Sequence, residues 1–166
     1  MSRTIPIKLS SSGAEFSSDR KYRYALWRIW DDRPLVMVIG LNPSTANESK
    51  NDPTIEKVIK VASRNGFGGV YMMNLFGIVS KDPEILKSDS NPIGDNDKFL
   101  EEISAVCEKV VFAWGNFKEA RERALQVVAN FNEALCFKQN KNGSPKHPLY
   151  CLDETILIPF DSTLLL

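Results

Sequence analysis

Four polar residues, each at the end of an apolar run or in the loop that follows one, are the first candidates for chemistry in this chain. Asn42, Asn74 and Asn116 carry amides that both donate and accept hydrogen bonds, and His147 is the single histidine. An imidazole titrates near neutral pH, so it can serve as an acid, a base or a hydrogen-bond donor. Amides with aromatic neighbours suit a neutral, flat, hydrogen-bonding ligand such as a nucleobase. The residue types therefore predict a site for a planar ring.

Each candidate also has a structural interpretation, which the sequence leaves open. Asn42 begins a common Asn-Pro-Ser-Thr turn, and Asn74 interrupts an apolar run where its amide could satisfy a buried backbone group. Phe76 is either a stacking surface for a ring or part of the core. Asn116 could cap a helix, and His147 could be a surface residue. We prefer ligand binding for Asn42, Asn74 and His147, and we retain Phe76 and Asn116 as candidates.

Alternating strands and helices set where these residues lie. Apolar runs predict strands at 35–39, 69–75, 109–114, 134–137 and 155–159, and helical spacing predicts helices within 52–65, 95–107 and 117–131. This order is typical of a three-layer α/β/α domain with a mostly parallel sheet of four or five strands. Ligands bind such sheets at the carboxyl ends of the strands, where all four candidates fall.

The same patterns predict the core. It should consist of the strand runs and the apolar helix faces: Met37, Val38, Ile39, Ile55, Ile59, Val70, Met72, Phe99, Ile103, Val111, Phe112 and Val127.

Residues 22–30 alternate between two faces and predict one more strand. Because the turn at 31–34 is short, we expect this strand to pair antiparallel with 35–39, as a hairpin at one edge of the sheet. Residues 1–19 are rich in Ser and Arg and are expected to form a flexible N-terminal arm. A single α/β domain would then span residues 20–166.

Composition excludes several classes of protein. Twenty-one Lys and Arg balance twenty-one Asp and Glu, which argues against a protein that coats nucleic acid by bulk charge. One histidine and three cysteines without a CxxC pair argue against metal sites, so no metal and no cofactor is expected. The sparse cysteines and the absence of a long apolar segment predict a cytoplasmic protein with no membrane partner.

Six blocks of the sequence resemble a bacterial and phage family, domain-of-unknown-function family 1643. In chain order they are YRYALWRIW at 22–30, GLNPSTA at 40–46, DPTI at 52–55, NLF at 74–76, AWGN at 113–116 and KHPLY at 146–150. The blocks run over most of the chain. The family brings no established activity.

A more distant resemblance carries chemistry. Residues 40–44 (GLNPS) are similar to the first motif of the uracil-DNA glycosylase superfamily, and His147-Pro148 is similar to its H-P motif, although Leu149 follows where Ser is usual. The resemblance implies a uracil-DNA-glycosylase-like fold. It implies that Asn42 positions the attacking water, Asn74 reads the base edge and His147 stabilises the departing base. Together with Asn74, the predicted substrate-binding residues are Gly40, Pro43, Ser44, Phe76, Asn116 and Pro148, of which Asn116 is predicted from its place after a strand and not from the resemblance.

Three hypotheses about function follow. The first is a glycosylase-like domain that binds a nucleobase or nucleotide, with nucleic acid as one candidate partner, and hydrolyses an N-glycosidic bond. The second is a non-catalytic module that binds a nucleotide or nucleic acid in the same pocket. The third is a small-molecule hydrolase that uses Ser44 or Cys151 as nucleophile and His147 as base. The sequence does not decide between enzyme and binding module, and it leaves the oligomeric state open.

Overall fold

One sheet organises the computed structural model, which describes residues 10–165. Its seven strands are β1 (Ser11–Phe16), β2 (Arg23–Ile29), β3 (Leu35–Gly40), β4 (Gly69–Asn74), β5 (Lys109–Phe112), β6 (Leu135–Cys136) and β7 (Ile158–Pro159). They lie in the order β1-β2-β4-β3-β5-β6-β7. The four central strands, β4, β3, β5 and β6, are parallel, and the flanking strands are antiparallel. The fold is therefore mixed α/β, with the parallel sheet confined to its centre.

Helices cover both faces of this sheet. The α-helices of the described part of the chain are α1 (Pro53–Arg64), α2 (Ile85–Ser88), α3 (Asn96–Ser104) and α4 (Arg121–Val128), and short 3₁₀ turns lie at Lys118–Ala120, Pro148–Tyr150 and Ser162–Leu165. One buried cluster joins α1 to the sheet, and a second lies under α3 and α4 on the opposite face. Within residues 10–165, no helix has the length and apolar character needed to cross a bilayer.

Helix α1 begins where the sequence predicts it. The Asp52 carboxylate accepts the Ile55 N–H at 2.9 Å, and Pro53 occupies the first helical position, where no N–H is needed. The helix buries Ile55, Val58 and further apolar residues against the sheet. This start matters for the site, because it places the first turn of α1 beside the end of β3.

The predicted hairpin between residues 22–30 and 35–39 is wrong. Strand β2 pairs with β1 and β4, so β4 lies between β2 and β3. The backbone around Gly68 makes this insertion possible, because its carbonyl accepts from Trp30 and Asp31 and its N–H donates to Pro34. A Cβ at Gly68 would collide with the Arg33 backbone, so only glycine lets β4 enter there.

The predicted N-terminal arm is corrected in its second half, and residues 1–9 lie outside the described part of the chain. Ser11–Phe16 form the edge strand β1, paired antiparallel with β2. The sequence SSGAEF has no apolar run to indicate a strand. Packing explains why this segment forms a strand, since Gly13 lies so close to the Trp27 ring that a Cβ at position 13 would collide with it.

Other differences are small. The helix predicted at 117–131 is a 3₁₀ turn followed by α4, and β5 ends at Phe112 instead of residue 114. Helix α2 lies between residues 75 and 95, where the sequence pattern predicts neither a strand nor a helix. Ten of the twelve predicted core residues are buried. Phe99 and Ile103 are half-buried and pack against the second cluster.

Candidate functional site

A cavity of about 260 Å³ lies at the carboxyl ends of β3 and β4, beside the start of α1. Its size is near the ~300 Å³ lower end of small-molecule sites. Six of the predicted site residues line it: Gly40, Asn42, Pro43, Ser44, Asn74 and His147. Arg23 and Asp52 line it as well, and neither was selected from the sequence. The topology thus brings together residues that are up to 124 positions apart in the chain, from Arg23 to His147.

Gly40 and Asn74 form the floor of the cavity. They are register partners at the ends of the parallel strands β3 and β4. A Cβ at position 40 would lie 2.8 Å from the Asn74 Oδ1 and 2.8 Å from the Met72 Cε, so glycine leaves room for the amide. Only 3% of Asn74 is exposed, yet its side chain makes no hydrogen bond with any described residue. The backbone carbonyl of Asn74 is held separately, by the Asn96 Nδ2 at 2.6 Å.

The loop after β3 holds Asn42 in a fixed orientation. The Asn42 Nδ2 donates to the carbonyls of Pro43 at 3.1 Å and Ser80 at 3.0 Å. The Ser80 N–H in turn donates to the Pro43 carbonyl, so the two loops hold each other. Because carbonyls can only accept, the amide nitrogen must face them, and the Oδ1 of Asn42 is left without a donor among the described residues. Asn42 therefore presents an acceptor.

His147 is held in one tautomer. Its Nδ1 accepts the Leu149 N–H at 3.2 Å and so caps the 3₁₀ turn that starts at Pro148. An Nδ1 that accepts carries no proton, so the proton is on Nε2, which has no partner among the described residues. Burial lowers the pKa of His147 below 6.5, and Asp52 opposes this in part. At neutral pH the cavity therefore contains a neutral imidazole with an N–H to donate.

The loop that carries His147 is attached to the end of β5. The Gly115 N–H donates to the Pro145 carbonyl at 2.9 Å, and a Cβ at Gly115 would lie 3.5 Å from the His147 Cβ. Gly115 has φ +79°, a conformation that favours glycine. This contact brings a residue from the far end of the chain to the edge formed by β3 and β4.

Three predicted site residues do not line the cavity. Phe76 is buried in the core cluster under α3 and α4, so it offers no face to a ring in the cavity. Asn116 is exposed and lines a separate, smaller cavity with Trp114. Pro148 is buried behind His147, where it starts the 3₁₀ turn. The rule that ligands bind at the carboxyl ends of parallel strands selected the right strands. It does not predict on which face of each strand end the cavity lies.

The two nucleophiles of the hydrolase hypothesis are not activated. Cys151 does not line the cavity, its Sγ donates to the backbone carbonyl of His147 at 3.7 Å, and burial raises its pKa. Ser44 lines the cavity, but its hydroxyl makes no hydrogen bond to the His147 ring. Within residues 10–165, no group of three or more His, Cys, Asp or Glu residues could hold a metal ion.

Comparison with known proteins gives one finding. A family described as "Protein of unknown function (DUF1643)" matches residues 23–149, about three quarters of the chain. The chain belongs to this family. The matched segment contains every residue that lines the cavity, from Arg23 to His147, so the cavity lies wholly within the DUF1643 domain. No curated protein and no solved structure matched the chain.

Proposed function

We propose that the cavity binds a nucleobase and that the protein hydrolyses the N-glycosidic bond of its substrate. The buried amide of Asn74 carries this proposal, because it lines the cavity and has no protein partner. The Asn74 amide atoms are not fully covered, so a ligand or water in the cavity can reach them and supply the partners that the protein does not. A primary amide presents a donor and an acceptor side by side, and the amide edge of a pyrimidine or purine complements that pair.

His147 suits the departing base. When the C–N bond breaks, its electron pair stays with the base, which leaves as an anion. A neutral Nε2–H placed in the cavity can stabilise this charge by donating a hydrogen bond, with no proton transfer. The Leu149 N–H contact at Nδ1 keeps the imidazole in the tautomer that this role requires. Activity should therefore persist above neutral pH.

Asn42 and Asp52 suit the attacking water. The Oδ1 of Asn42 is the acceptor that can hold the water, and its orientation is set by the Pro43 and Ser80 carbonyls. Asp52 is the only carboxylate among the described residues that line the cavity, so it takes the water's proton as the C–O bond forms. The similarity of residues 40–44 and 147–148 to uracil-DNA glycosylase motifs supports the roles of Asn42 and His147, and the role of Asp52 rests on its place in the cavity alone.

A screen for free-base release tests the proposal. Oligonucleotides that contain uracil, hypoxanthine or a mismatched base are incubated with the wild-type protein and with His147→Asn, whose side chain can still accept the Leu149 N–H. We expect release by the wild type, a loss of about 100-fold or more in the variant, and retained binding of the free base. Failure of the wild-type protein both to release and to bind any base would contradict the proposal. Binding without release would favour the non-catalytic module.

A further inference from the structure

The guanidinium of Arg23 is buried at the cavity and forms no ion pair with a described residue. Only 4% of the residue is exposed. Its Nη1 donates to the Ala46 carbonyl at 3.0 Å, its Nε is buried with no partner, and its Nη2 makes no hydrogen bond but is not fully covered. The ion pairs of the described arginines involve Arg20, Arg33, Arg64 and Arg123, and none involves Arg23.

A second buried arginine on the same strand shows how this fold satisfies a structural guanidinium. Arg28 is 0% exposed. It makes five hydrogen bonds, to Asn51 Oδ1 and to the carbonyls of Gly13, Trp27, Asn47 and Lys50. Arg28 does not line the cavity. The strand therefore carries one arginine that the protein satisfies completely and one that it leaves with free donors at a cavity.

The charges around Arg23 leave the cavity positive. Exposed Lys81 lines its rim, and the first turn of α1 lines its side at Thr54 and Ile55, where the helix dipole is positive. The one opposing group is the Asp52 carboxylate, and one of its oxygens already accepts the Ile55 N–H. With His147 neutral, two side-chain cations face one carboxylate.

We propose that Arg23 binds an oxyanion of the ligand, a phosphate or a carboxylate. Nη2 is the guanidinium nitrogen that makes no hydrogen bond and is not fully covered, and a guanidinium N–H forms strong charge-assisted hydrogen bonds with the oxygens of either group. This inference adds an anionic group to the ligand of the cavity. It rests on the proposed function only in assuming that the ligand also contains a base. The ligand is thus a nucleotide, or a ring that carries a carboxylate.

Two matched pairs of probes test this by calorimetry at pH 7 and constant ionic strength. Uridine is compared with uridine 5′-monophosphate, and uracil is compared with its 6-carboxylate, orotate. For the wild-type protein we expect the anionic member of at least one pair to bind about tenfold or more tightly, since charge-assisted hydrogen bonds are the strong ones. The pair that shows the preference identifies the anion. Inorganic phosphate and acetate, which carry no base, are titrated in parallel.

Arg23→Met should abolish the preference and reduce it to a ratio near one. The control is Arg121→Met, which removes an exposed arginine from a different cavity and should leave the ratio unchanged. Equal binding of neutral and anionic probes by the wild-type protein overturns the inference, and so does an unchanged preference in Arg23→Met. If Arg23→Met does not fold, the comparison of neutral and anionic probes with the wild-type protein decides the question. Binding of phosphate or acetate without any binding of bases would support Arg23 and contradict the nucleobase proposal.

Discussion

Lowering the pH through the range below 6.5 should destabilise the native protein through His147. Desolvation lowers the pKa of this imidazole in the folded protein, and Asp52 only partly opposes the effect. The unfolded chain takes up a proton near pH 6.5. Between the native pKa and 6.5, the unfolded state therefore binds one more proton than the native state. The free energy of unfolding falls as the pH falls through this window, by at most ~1.4 kcal/mol per pH unit, and the contribution is fully present above it.

His147→Asn is the matched control for this measurement. Asparagine can accept the Leu149 N–H and keep the cap, but it does not titrate. Urea unfolding of both proteins between pH 5 and 8 gives the difference that belongs to His147, because all other titrating groups are shared. Since the chain has one histidine, its imidazole proton signals report the native pKa directly. A native pKa at or above 6.5, or parallel pH profiles for the two proteins, would refute the account of a desolvated neutral imidazole.

Three further predictions concern stability and are measured by urea or thermal unfolding at pH 7. Arg23→Met should change the free energy of unfolding by less than about 1 kcal/mol or increase it, because it removes a buried guanidinium that forms no ion pair with a described residue. Arg28→Met should cost about 3 kcal/mol or more, because it leaves five buried or partly buried acceptors without their donor, and each unsatisfied group costs about 1–3 kcal/mol. A large loss in Arg23→Met would show that its charge is structural. Asn74→Ala should lower the free energy of unfolding by less than about 1 kcal/mol, whereas Asn96→Ala should lower it by about 2 kcal/mol, since only the Asn96 side chain makes hydrogen bonds to the protein. A larger loss for Asn74→Ala than for Asn96→Ala would contradict the conclusion that the Asn74 amide has no protein partner. Ile39→Ala should cost on the order of 2–5 kcal/mol, because the residue is 0% exposed, and an unchanged melt would count against its place in the core.

Much of the sheet could be predicted from local pattern. Strands β3, β4 and β5 are largely buried and mostly apolar, and such runs are visible in sequence because few polar residues occur within them. The ends of parallel strands then meet at one edge, and Gly40, Asn42, Asn74 and His147 all line the cavity found there. Strand topology brings Gly40, Asn42 and Asn74 together, the hydrogen bond between Gly115 and Pro145 adds the loop of His147, and the roles of these residues in binding remain predictions.

The order of the outer strands could not be predicted in the same way. A short turn favours pairing of the strands it connects, but β4 separates β2 from β3 through hydrogen bonds at Gly68. That arrangement depends on a residue more than 30 positions away from the turn. The edge strand β1 depends likewise on its contact with Trp27, and its own sequence has no strand pattern.

Arg23 illustrates why a functional residue can be invisible to periodicity. Strict alternation along residues 22–30 assigns Arg23 to the face of Ala25 and Trp27. In the structure, however, Glu15 pairs with Ala25 and Phe16 pairs with Arg23, so Tyr24 is an extra residue in β2. Such a bulge reverses the faces of the residues on one side of it, and bulges occur often beside active sites.

The consequence is visible on both faces of the sheet. Ala25 packs in the cluster under α3 and α4, and Tyr24 stacks on Phe99 of α3 at 4.6 Å. Arg23 is turned to the opposite face, where it lines the cavity with Met72 and the start of α1. The bulge depends on the pairing of β1 with β2, and β1 was itself not predictable. The edge strand that was predicted to be a loose arm therefore determines which side of the sheet receives the Arg23 guanidinium, and so which cavity can bind an anion.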